Sequence, residues 1–404
     1  MRPTSDCFVE RIYVDEPSYH RGDGKAYETY GISKETGAIV VVRPDQSQST
    51  NLAPHLSSRN SPLISKMSGS RTATHAGSWY SDDRSQLDRQ LTQWLAQASD
   101  SSSSDSLKEV PVEKCKAIIA PHAGYSYSGP AAAYAYKSIN VEPIKRVFVL
   151  GPSHHVYLDG CALSRCHSYS TPIGDLPLDL ETISELNKTG KFEWMDRETD
   201  EDEHSIEMHL PYIRKVFEGR QIKLVPILVG SISTAKEKSF GSLLAPYLSD
   251  PSTLFVLSSD FCHWGTRFRY THFHPPSTDD VFRGQSLNVS NFNSATQEVG
   301  GQVWKGIEKL DRLGMDCCAF LTSPSPPTAA KSPSKAHEEF ASYLKVTKNT
   351  ICGRHPIGVL LGALSALEDK VRDMRCEWVR YEQSSQVKSL RDSSVSYASA
   401  FVAF

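Results

Sequence analysis

Histidines follow three short apolar segments that look like buried β-strands. A lone histidine at a strand end is usually structural, but in α/β sheets the carboxyl ends of neighbouring strands meet at one crevice. Three such ends therefore predict a shared functional site. The polar side chains at these ends are His122 after AIIA, His154 and His155 after VFVL, and Asp260 and His263 after TLFVLSS.

A second polar group lies in DEDEHSIEMHLPYI (200–213). His204 and Glu207 are three residues apart and are predicted on one face of a helix, with His209 on its apolar side. The H-x-x-E-x-H spacing matches neither zinc-protease pattern, which argues against that chemistry. The acidic run before His204 predicts a solvated helix start. For His204 and Glu207 two roles stay open, namely support of the strand-end site or plain structure.

Cys352 lies in NTICGRHPIGVLL, just before a helix predicted to begin near His355. It could be a thiolate ligand or nucleophile, because Arg354 and the helix N-terminus would stabilise a thiolate. It could also be a small buried apolar residue, the usual role of a lone cysteine. The nine cysteines include no C-x-x-C pair. This predicts reduced thiols and argues against a zinc finger, a thioredoxin-type site and an iron–sulfur cluster.

The segments that carry these residues alternate between strand-like and helix-like patterns. The alternation predicts an α/β fold with a mainly parallel or mixed sheet covered by helices on both faces. The region 273–350 is rich in Pro, Ser and Asn, which predicts long loops around one helix. The predicted strands are 116–120, 146–151, 161–164, 222–230, 253–260 and 393–404, and the predicted helices are 84–97, 129–139, 205–217, 236–247, 303–316 and 355–373.

The composition excludes several classes of protein. The 404 residues are 39% hydrophobic and 23% charged, which is ordinary for a globular chain and excludes a fibrous or wholly disordered one. A formal net charge of −3 gives no basis for binding nucleic acid or an acidic membrane. No segment approaches the ~18 apolar residues of a membrane span, and the start of the chain lacks the apolar stretch of a secretory signal. We therefore expect a cytoplasmic or nuclear protein.

Seven motifs along residues 71–404 together resemble the Memo family. That family resembles in fold the class III, LigB-like non-haem iron extradiol dioxygenases. The resemblance implies a single LigB-like domain with a central mixed sheet flanked by helices and a site at the strand ends. The motifs are HAGSWY (75–80), APHAGYSYSGPAAAYAYK (120–137), LGPSHH (150–155), TDEDEHSIEMHLPYI (199–213), SSDFCHWGTRFRY (258–270), NTICGRHPIGVLL (349–361) and SSVSYASA (393–400).

The resemblance also implies a metal site at His122, His154 and Cys352, with Asp260 and His263 beside it as catalytic residues. In the dioxygenases two histidines and one glutamate hold Fe(II), and a further histidine acts as acid and base. Cys352 stands in the glutamate's place, and His263 resembles the acid–base histidine. A thiolate favours Cu(I) or Zn²⁺ over Fe(II). The implied cofactor is therefore copper or iron, with zinc as a third candidate, and ring cleavage is not expected.

Two functions follow from the resemblance and stay open. The first is a metal-dependent oxidoreductase with a redox role. The second is a non-catalytic adaptor in cell motility signalling, in which the same pocket and Arg354 bind a phosphorylated or acidic peptide.

The head of the chain differs from the rest. Residues 1–46 predict a short β unit, and within them 10–46 are similar to the tail of the C-terminal domain of flavin-dependent phenol hydroxylases. Flavin-binding motifs are missing, so no monooxygenase activity is implied. Residues 47–70 are Ser-, Asn- and Pro-rich and predict a linker to the Memo-like domain at 71–404. Within that domain, 275–302 is interpreted as an inserted loop.

Overall fold

The computed structural model divides the chain into two compact units, Met1–Ser61 and Pro62–Phe404. In the first unit β1 (Thr29–Ile32) pairs antiparallel with β2 (Ile39–Val42). The residues that the structure describes are 29–32, 39–42, 69–98, 110–323 and 330–404.

Parts of the predicted organisation fall outside this description. They are the head apart from its two strands, residues 47–68 of the linker, and nearly all of the loop expected at 98–106.

The second unit contains the remaining strands and all the described α-helices. The strands are β3 (Ser70–Arg71), β4 (Cys115–Ala120), β5 (Arg146–Pro152), β6 (Cys161–Leu163), β7 (Ser168–Tyr169), β8 (Leu176–Pro177), β9 (Phe192–Trp194), β10 (Lys223–Val229), β11 (Thr253–Ser258), β12 (Asp260–Trp264), β13 (His272–Phe273), β14 (Gln285–Ser286), β15 (Phe320–Leu321), β16 (Arg375–Gln383) and β17 (Ser394–Ala403). The helices are α1 (Arg84–Gln97), α2 (Tyr125–Lys137), α3 (Leu180–Lys188), α4 (Arg197–Asp202), α5 (His204–Glu207), α6 (Leu210–Val216), α7 (Thr234–Ser249), α8 (Phe292–Ala295), α9 (Val303–Cys318), α10 (Pro333–Thr347) and α11 (Arg354–Ser365).

A ten-stranded mixed sheet forms the centre of this unit, in the order β15-β16-β17-β4-β11-β5-β10-β6-β9, with β12 paired to β17. The four middle strands, β4, β11, β5 and β10, run parallel. Their neighbours β17 and β6 run antiparallel. The predicted α/β class and mixed sheet are confirmed. All four parallel strands are buried almost throughout, as expected for apolar strands covered on both faces.

Helices flank the sheet in two groups. Helix α2 packs against β4, β17 and α1, while α7 and α11 pack on each other and against β11. Within the described residues, no helix is both long and apolar enough to cross a membrane.

The predicted helix 205–217 is wrong as a single helix. Two short helices, α5 and α6, cover this region, with Met208 and His209 between them. Pro211 has no N–H to donate to the preceding turn, which favours the start of a new helix at Leu210. His204 and Glu207 both lie in α5, before this break.

Other boundaries also differ from expectation. The predicted strand 253–260 ends at Ser258, and a separate strand β12 begins at Asp260. The last helix ends at Ser365 instead of residue 373. The region 273–350 contains the predicted helix α9 and also α10, where loops were expected.

Candidate metal centre

Two of the predicted strand ends bring histidines together. His122 follows β4 and His154 follows β5, and both strands lie beside β11 in the parallel part of the sheet. The two rings lie 5.2 Å apart between centroids. The carboxyl ends of parallel strands therefore position this pair, as the sequence predicted.

His204 of α5 completes a three-histidine group with His122 and His154, hereafter the His cluster. One ligand nitrogen from each ring can be chosen so that all three lie within 4.8 Å of one another. The His204 ring stacks on His154 at 4.4 Å and lies 5.4 Å from His122. His122 and His204 are buried and His154 is nearly so. Sequence reasoning gave His204 a supporting or structural role, so it missed this residue as a candidate ligand.

Helix α5 reaches the cluster because it packs directly onto the strand ends. A Cβ on Gly151 would lie 2.4 Å from the Ser205 hydroxyl oxygen, so only glycine allows this approach. The Ser205 hydroxyl donates to the Pro152 carbonyl at 3.0 Å, and the Ser258 hydroxyl donates to the Ser205 carbonyl at 2.7 Å. Gly151, at the end of β5, was the available sequence signal for close backbone approach at this place.

The His122 ring is fixed in one orientation and one tautomer. Its Nδ1 lies 2.6 Å from the Ser258 Oγ, whose own hydrogen goes to the Ser205 carbonyl. Ser258 must therefore accept a hydrogen from Nδ1, which leaves the Nε2 lone pair free to bind a metal. Burial lowers the pKa of His122 well below its usual range, and the nearby histidines lower it further. The imidazole is thus held neutral, the form that binds metals.

His154 is held by a buried carboxylate. Glu203 accepts from His154 Nδ1 at 2.8 Å and from the His154 backbone N–H at 2.8 Å. The Nδ1 hydrogen therefore bonds to Glu203, and the other ring nitrogen, Nε2, faces the His cluster. Burial works against protonation of His154, but the Glu203 charge and the Cys352 thiol together raise its pKa well above the usual range. A metal at this position therefore has to displace a proton.

The acidic run before His204 is only partly the solvated helix start that was predicted. Asp202 is exposed and Glu203 caps α5, but Asp200 and Glu203 are each 2% exposed. Burial would raise the pKa of Glu203, but His154 and the N–H donors hold it down at about 2. A buried carboxylate is stable here because positively charged and N–H groups surround it.

Cys352 lies against the His cluster. Its Sγ is 3.2 Å from His122 Nε2, and the Asp260 backbone N–H donates to it at 3.3 Å. Burial raises the pKa of the Cys352 thiol, although the hydrogen bond to His154 acts in the opposite direction. The sulfur and two of the imidazoles thus converge, as a mixed sulfur and nitrogen ligand set requires.

Asp260 and His263, the two residues expected beside the metal, lie on β12. Asp260 accepts from the His122 backbone N–H at 2.8 Å through Oδ1. The Nδ1 of His263 lies 3.0 Å from both the Phe261 and the Thr350 carbonyls. Because carbonyls only accept, Nδ1 carries the hydrogen, and Nε2 is left as a proton acceptor.

The Glu207 carboxylate makes its hydrogen bonds with residues outside the His cluster. It accepts from Arg71 at 2.6 Å, from His75 Nδ1 at 2.9 Å and from the Tyr80 hydroxyl at 2.8 Å. Of its helix neighbours, only His204 enters the cluster. His155, also named from the sequence, is exposed and its ring lies 6.0 Å from that of His204.

Comparison with known proteins places this chain in a family. The family model "Memo-like protein" matches residues 71–401. The chain is 46% identical over 337 residues to Protein MEMO1 of Xenopus laevis, covering 83% of this chain and 98% of that protein. It is 44% identical over 330 residues to Protein MEMO1 of Homo sapiens, covering 81% and 95%. It belongs to the Memo family. Protein memo-1 homolog of Caenorhabditis elegans is 40% identical over 332 residues, covering 81% of each chain.

The Memo match begins where the second unit's first strand lies, and a different model matches the head. "Phenol hydroxylase, C-terminal dimerisation domain" matches residues 2–53, in agreement with the resemblance noted for 10–46. Among solved structures, an uncharacterized protein JW3007 from Escherichia coli K12 covers 69% of this chain and 98% of its own, at 14% identity. Its TM-score of 0.35 is too low to assign the fold of the Memo domain.

Proposed function

We propose that this Memo-family protein binds one copper or iron ion at the His cluster and Cys352 and uses it in a redox role. The observation that carries the proposal is the convergence of three imidazoles within 4.8 Å, with a sulfur 3.2 Å from one of them. The Nε2 atoms of His122 and His154 are the natural donors, since their Nδ1 atoms are committed to Ser258 and Glu203. Copper or iron bound there would supply one-electron redox chemistry.

The donor set offers two ways of completing the metal shell. Cys352 with two histidines is a soft set that suits Cu(I) and would also accept Zn²⁺, whereas His204 with the same pair is a harder set that suits Fe(II) and would also accept Zn²⁺ or Cu²⁺. Both sets share His122 and His154 and differ only in the third ligand.

The other residues of the site would handle protons and position the ligands. His263, with Nδ1 fixed by two carbonyls, can accept and return a proton at Nε2. Asp260 fixes the backbone of His122 and, through its own N–H, the sulfur of Cys352. We propose His263 as the acid–base residue and Asp260 as the residue that positions the two ligands.

We also propose that the domain has the LigB-like fold of the class III extradiol dioxygenases. A central set of parallel strands with histidines at the carboxyl ends supports this assignment. Ring cleavage is not part of the proposal, because Cys352 stands where those enzymes have a glutamate.

The test is the metal content and metal affinity of protein purified without a histidine tag. Wild type should bind about one ion per chain, and His122→Ala and His154→Ala should each weaken binding by more than the ~10–100-fold typical of residues that only support a ligand. His167→Ala is the matched control, because His167 is an exposed histidine away from the cluster. Equal metal binding by all four proteins would refute the proposal.

A second candidate function is binding of a phosphorylated or acidic peptide beside the same site. Arg354 supports this function. Its guanidinium makes one hydrogen bond to the residues that the structure describes, in which Nη1 donates to the Ile351 carbonyl at 3.4 Å. Burial lowers the pKa of Arg354, so this cation would gain from an anionic partner. A phosphotyrosine peptide should bind wild type and lose at least tenfold in affinity with Arg354→Gln, with Arg391→Gln as the control. Unchanged affinity in Arg354→Gln would remove this candidate.

We further propose that the protein works in a reducing compartment, the cytoplasm or the nucleus. All eight cysteines in the described part of the chain are free thiols.

A further inference from the structure

A cavity lies at the amino ends of the central parallel strands, and the His cluster lies at their carboxyl ends. Its volume is about 740 Å³, within the ~300–1,000 Å³ of small-molecule sites. Arg146 and Lys223, at the amino ends of β5 and β10, form part of its lining. The histidines follow the other ends of such strands, and β5 has seven residues, or about 23 Å at ~3.3 Å per residue. The cavity is thus a separate place from the candidate metal centre.

Basic side chains predominate in the lining, five against three acidic ones, although the whole chain carries a net charge of −3. Lys145, Arg214 and Lys223 form no side-chain hydrogen bond or ion pair with any residue that the structure describes. Lys223 stands directly opposite Arg146 in the parallel ladder. Asp179 and Asp250 already pair with Arg146, so Lys223 is the cation of this pair that an anion in the cavity would neutralise.

The fold fixes the backbone beneath the cations. Arg146 is held by Asp179 through Nε at 2.7 Å and by Asp250 through Nη1 at 3.5 Å, which leaves Nη2 for a ligand. A Cβ on Gly174 would lie 3.0 Å from the Arg214 Nε, and Gly174 has a φ of +125° that favours glycine. The Lys145 backbone donates to the Ser252 carbonyl and accepts from the Lys223 backbone N–H. The side chains of Lys145 and Lys223 thus extend from fixed points at the mouth of the cavity.

The buried apolar residues of the lining leave little surface for a ligand. Leu176, Phe217 and Ile222 are each at most 4% exposed. The basic groups therefore decide which ligand fits. Several cations around one cavity match a small molecule that carries phosphate groups, because phosphate accepts several charge-assisted hydrogen bonds from arginine and lysine at once.

We propose that this cavity binds a small phosphorylated organic molecule, with its phosphates on Lys145, Arg214, Lys223 and Arg146. The proposal is independent of the metal centre and of the function proposed for it. It needs only that the four cations share one ligand.

Calorimetric titration of the full chain with ADP tests the proposal, with adenosine as the ligand that lacks phosphate. We expect ADP to bind at least tenfold more tightly than adenosine, and Arg214→Gln/Lys145→Gln to weaken ADP at least tenfold. The control Lys388→Gln/Arg391→Gln removes two exposed cations elsewhere in the chain and should bind ADP as wild type does.

Wild type and the two double variants all keep the His cluster, so any binding of ADP to metal at that cluster should be the same in all three proteins. Melting temperatures of the two double variants verify that both are folded. The proposal is overturned if wild type binds no ADP up to about 1 mM. It is also overturned if adenosine binds as well as ADP, or if the Arg214/Lys145 variant retains full affinity.

Discussion

Ser258 provides the sharpest test of how the site is built, because it touches no candidate metal and acts only through His122. In Ser258→Ala the Nδ1 hydrogen of His122 loses its acceptor at 2.6 Å, and the Ser205 carbonyl loses a donor at 2.7 Å. The His122 ring is then free to change tautomer and to turn, and its Nε2 is no longer committed to the metal.

The expected effect is a loss of metal affinity by ~10–100-fold, or about 1.4–2.7 kcal/mol, the usual cost of removing a group that orients a ligand. The protein should also lose stability, by about 1–3 kcal/mol, because a buried carbonyl and a buried N–H lose partners. Metal affinity and stability must therefore be measured separately.

Ser399→Ala is the matched control. Ser399 is likewise buried in a central strand, and its hydroxyl donates to a buried carbonyl, that of Ala131, at 2.7 Å. It makes no contact with the His cluster. Both variants should be destabilised to a similar extent in chemical unfolding, but only Ser258→Ala should lose affinity in an anaerobic competition titration with a chromophoric chelator. Equal affinity in the two variants would refute the tautomer argument, and with it the assignment of Nε2 as the donor.

Three further predictions concern other parts of the chain. Cys352→Ser should lower affinity for Cu(I) much more than for Fe(II) in anaerobic titrations, whereas Cys376→Ser should change neither, because only the first sulfur lies at the cluster. Burial raises the pKa of Asp311 to about 6, above the ~3.9 of an unfolded chain. The folded state therefore holds that proton more tightly, and the free energy of unfolding should fall by about 3 kcal/mol as pH rises from about 4 to above 6. Asp311→Asn should remove this part of the pH dependence, and a wild-type-like pH slope in denaturant unfolding would contradict it. Deletion of 1–68 should leave metal affinity and melting temperature unchanged, because every candidate ligand lies at or beyond His122, and a large fall in either would show that the head contributes to the Memo domain.

The strand-end histidines could be predicted because the signal is local. An apolar run followed at once by a polar residue gives both the strand and its end, and parallel pairing brings such ends together. This local signal was enough to predict that His122 and His154 lie close together. Local sequence left Cys352 open as a thiolate ligand or a buried apolar residue, and only the resemblance favoured the ligand, since its position depends on contacts between β12 and the loop before α11 that no local pattern encodes.

His204 shows where local reasoning stops. Helical spacing placed His204 and Glu207 on one face, but the structure gives them different partners, one in the His cluster and the other against Arg71 and His75. Both residues lie in α5, and the docking of Ser205 on Pro152, 53 residues away in sequence, places His204 beside the strand ends. Helix and strand periodicities relate residues only a few positions apart, so they cannot predict a contact between residues this far apart in sequence.

Helix α10 was missed for the opposite reason, since its signals were present. Ser332 caps the helix by accepting from the Lys335 backbone N–H, and Pro333 occupies the first helical turn, both of which are standard helix starts. The Pro- and Ser-rich residues before it favoured a loop over the whole region. Strand β16 was missed because its residues are mostly half-exposed and charged, unlike the buried strands that the apolar runs revealed.

The candidate metal centre depends on a buried charge network as well as on the strands. Arg71 is fully buried and donates to the Asp200 and Glu203 carbonyls as well as to the Glu207 carboxylate. These bonds hold the turn from which Glu203 accepts from His154. Removing one partner of such a network leaves other charges buried without compensation, which costs about 3–5 kcal/mol. The first residues of the Memo domain therefore help to orient His154, although none of them comes from a strand of the main sheet.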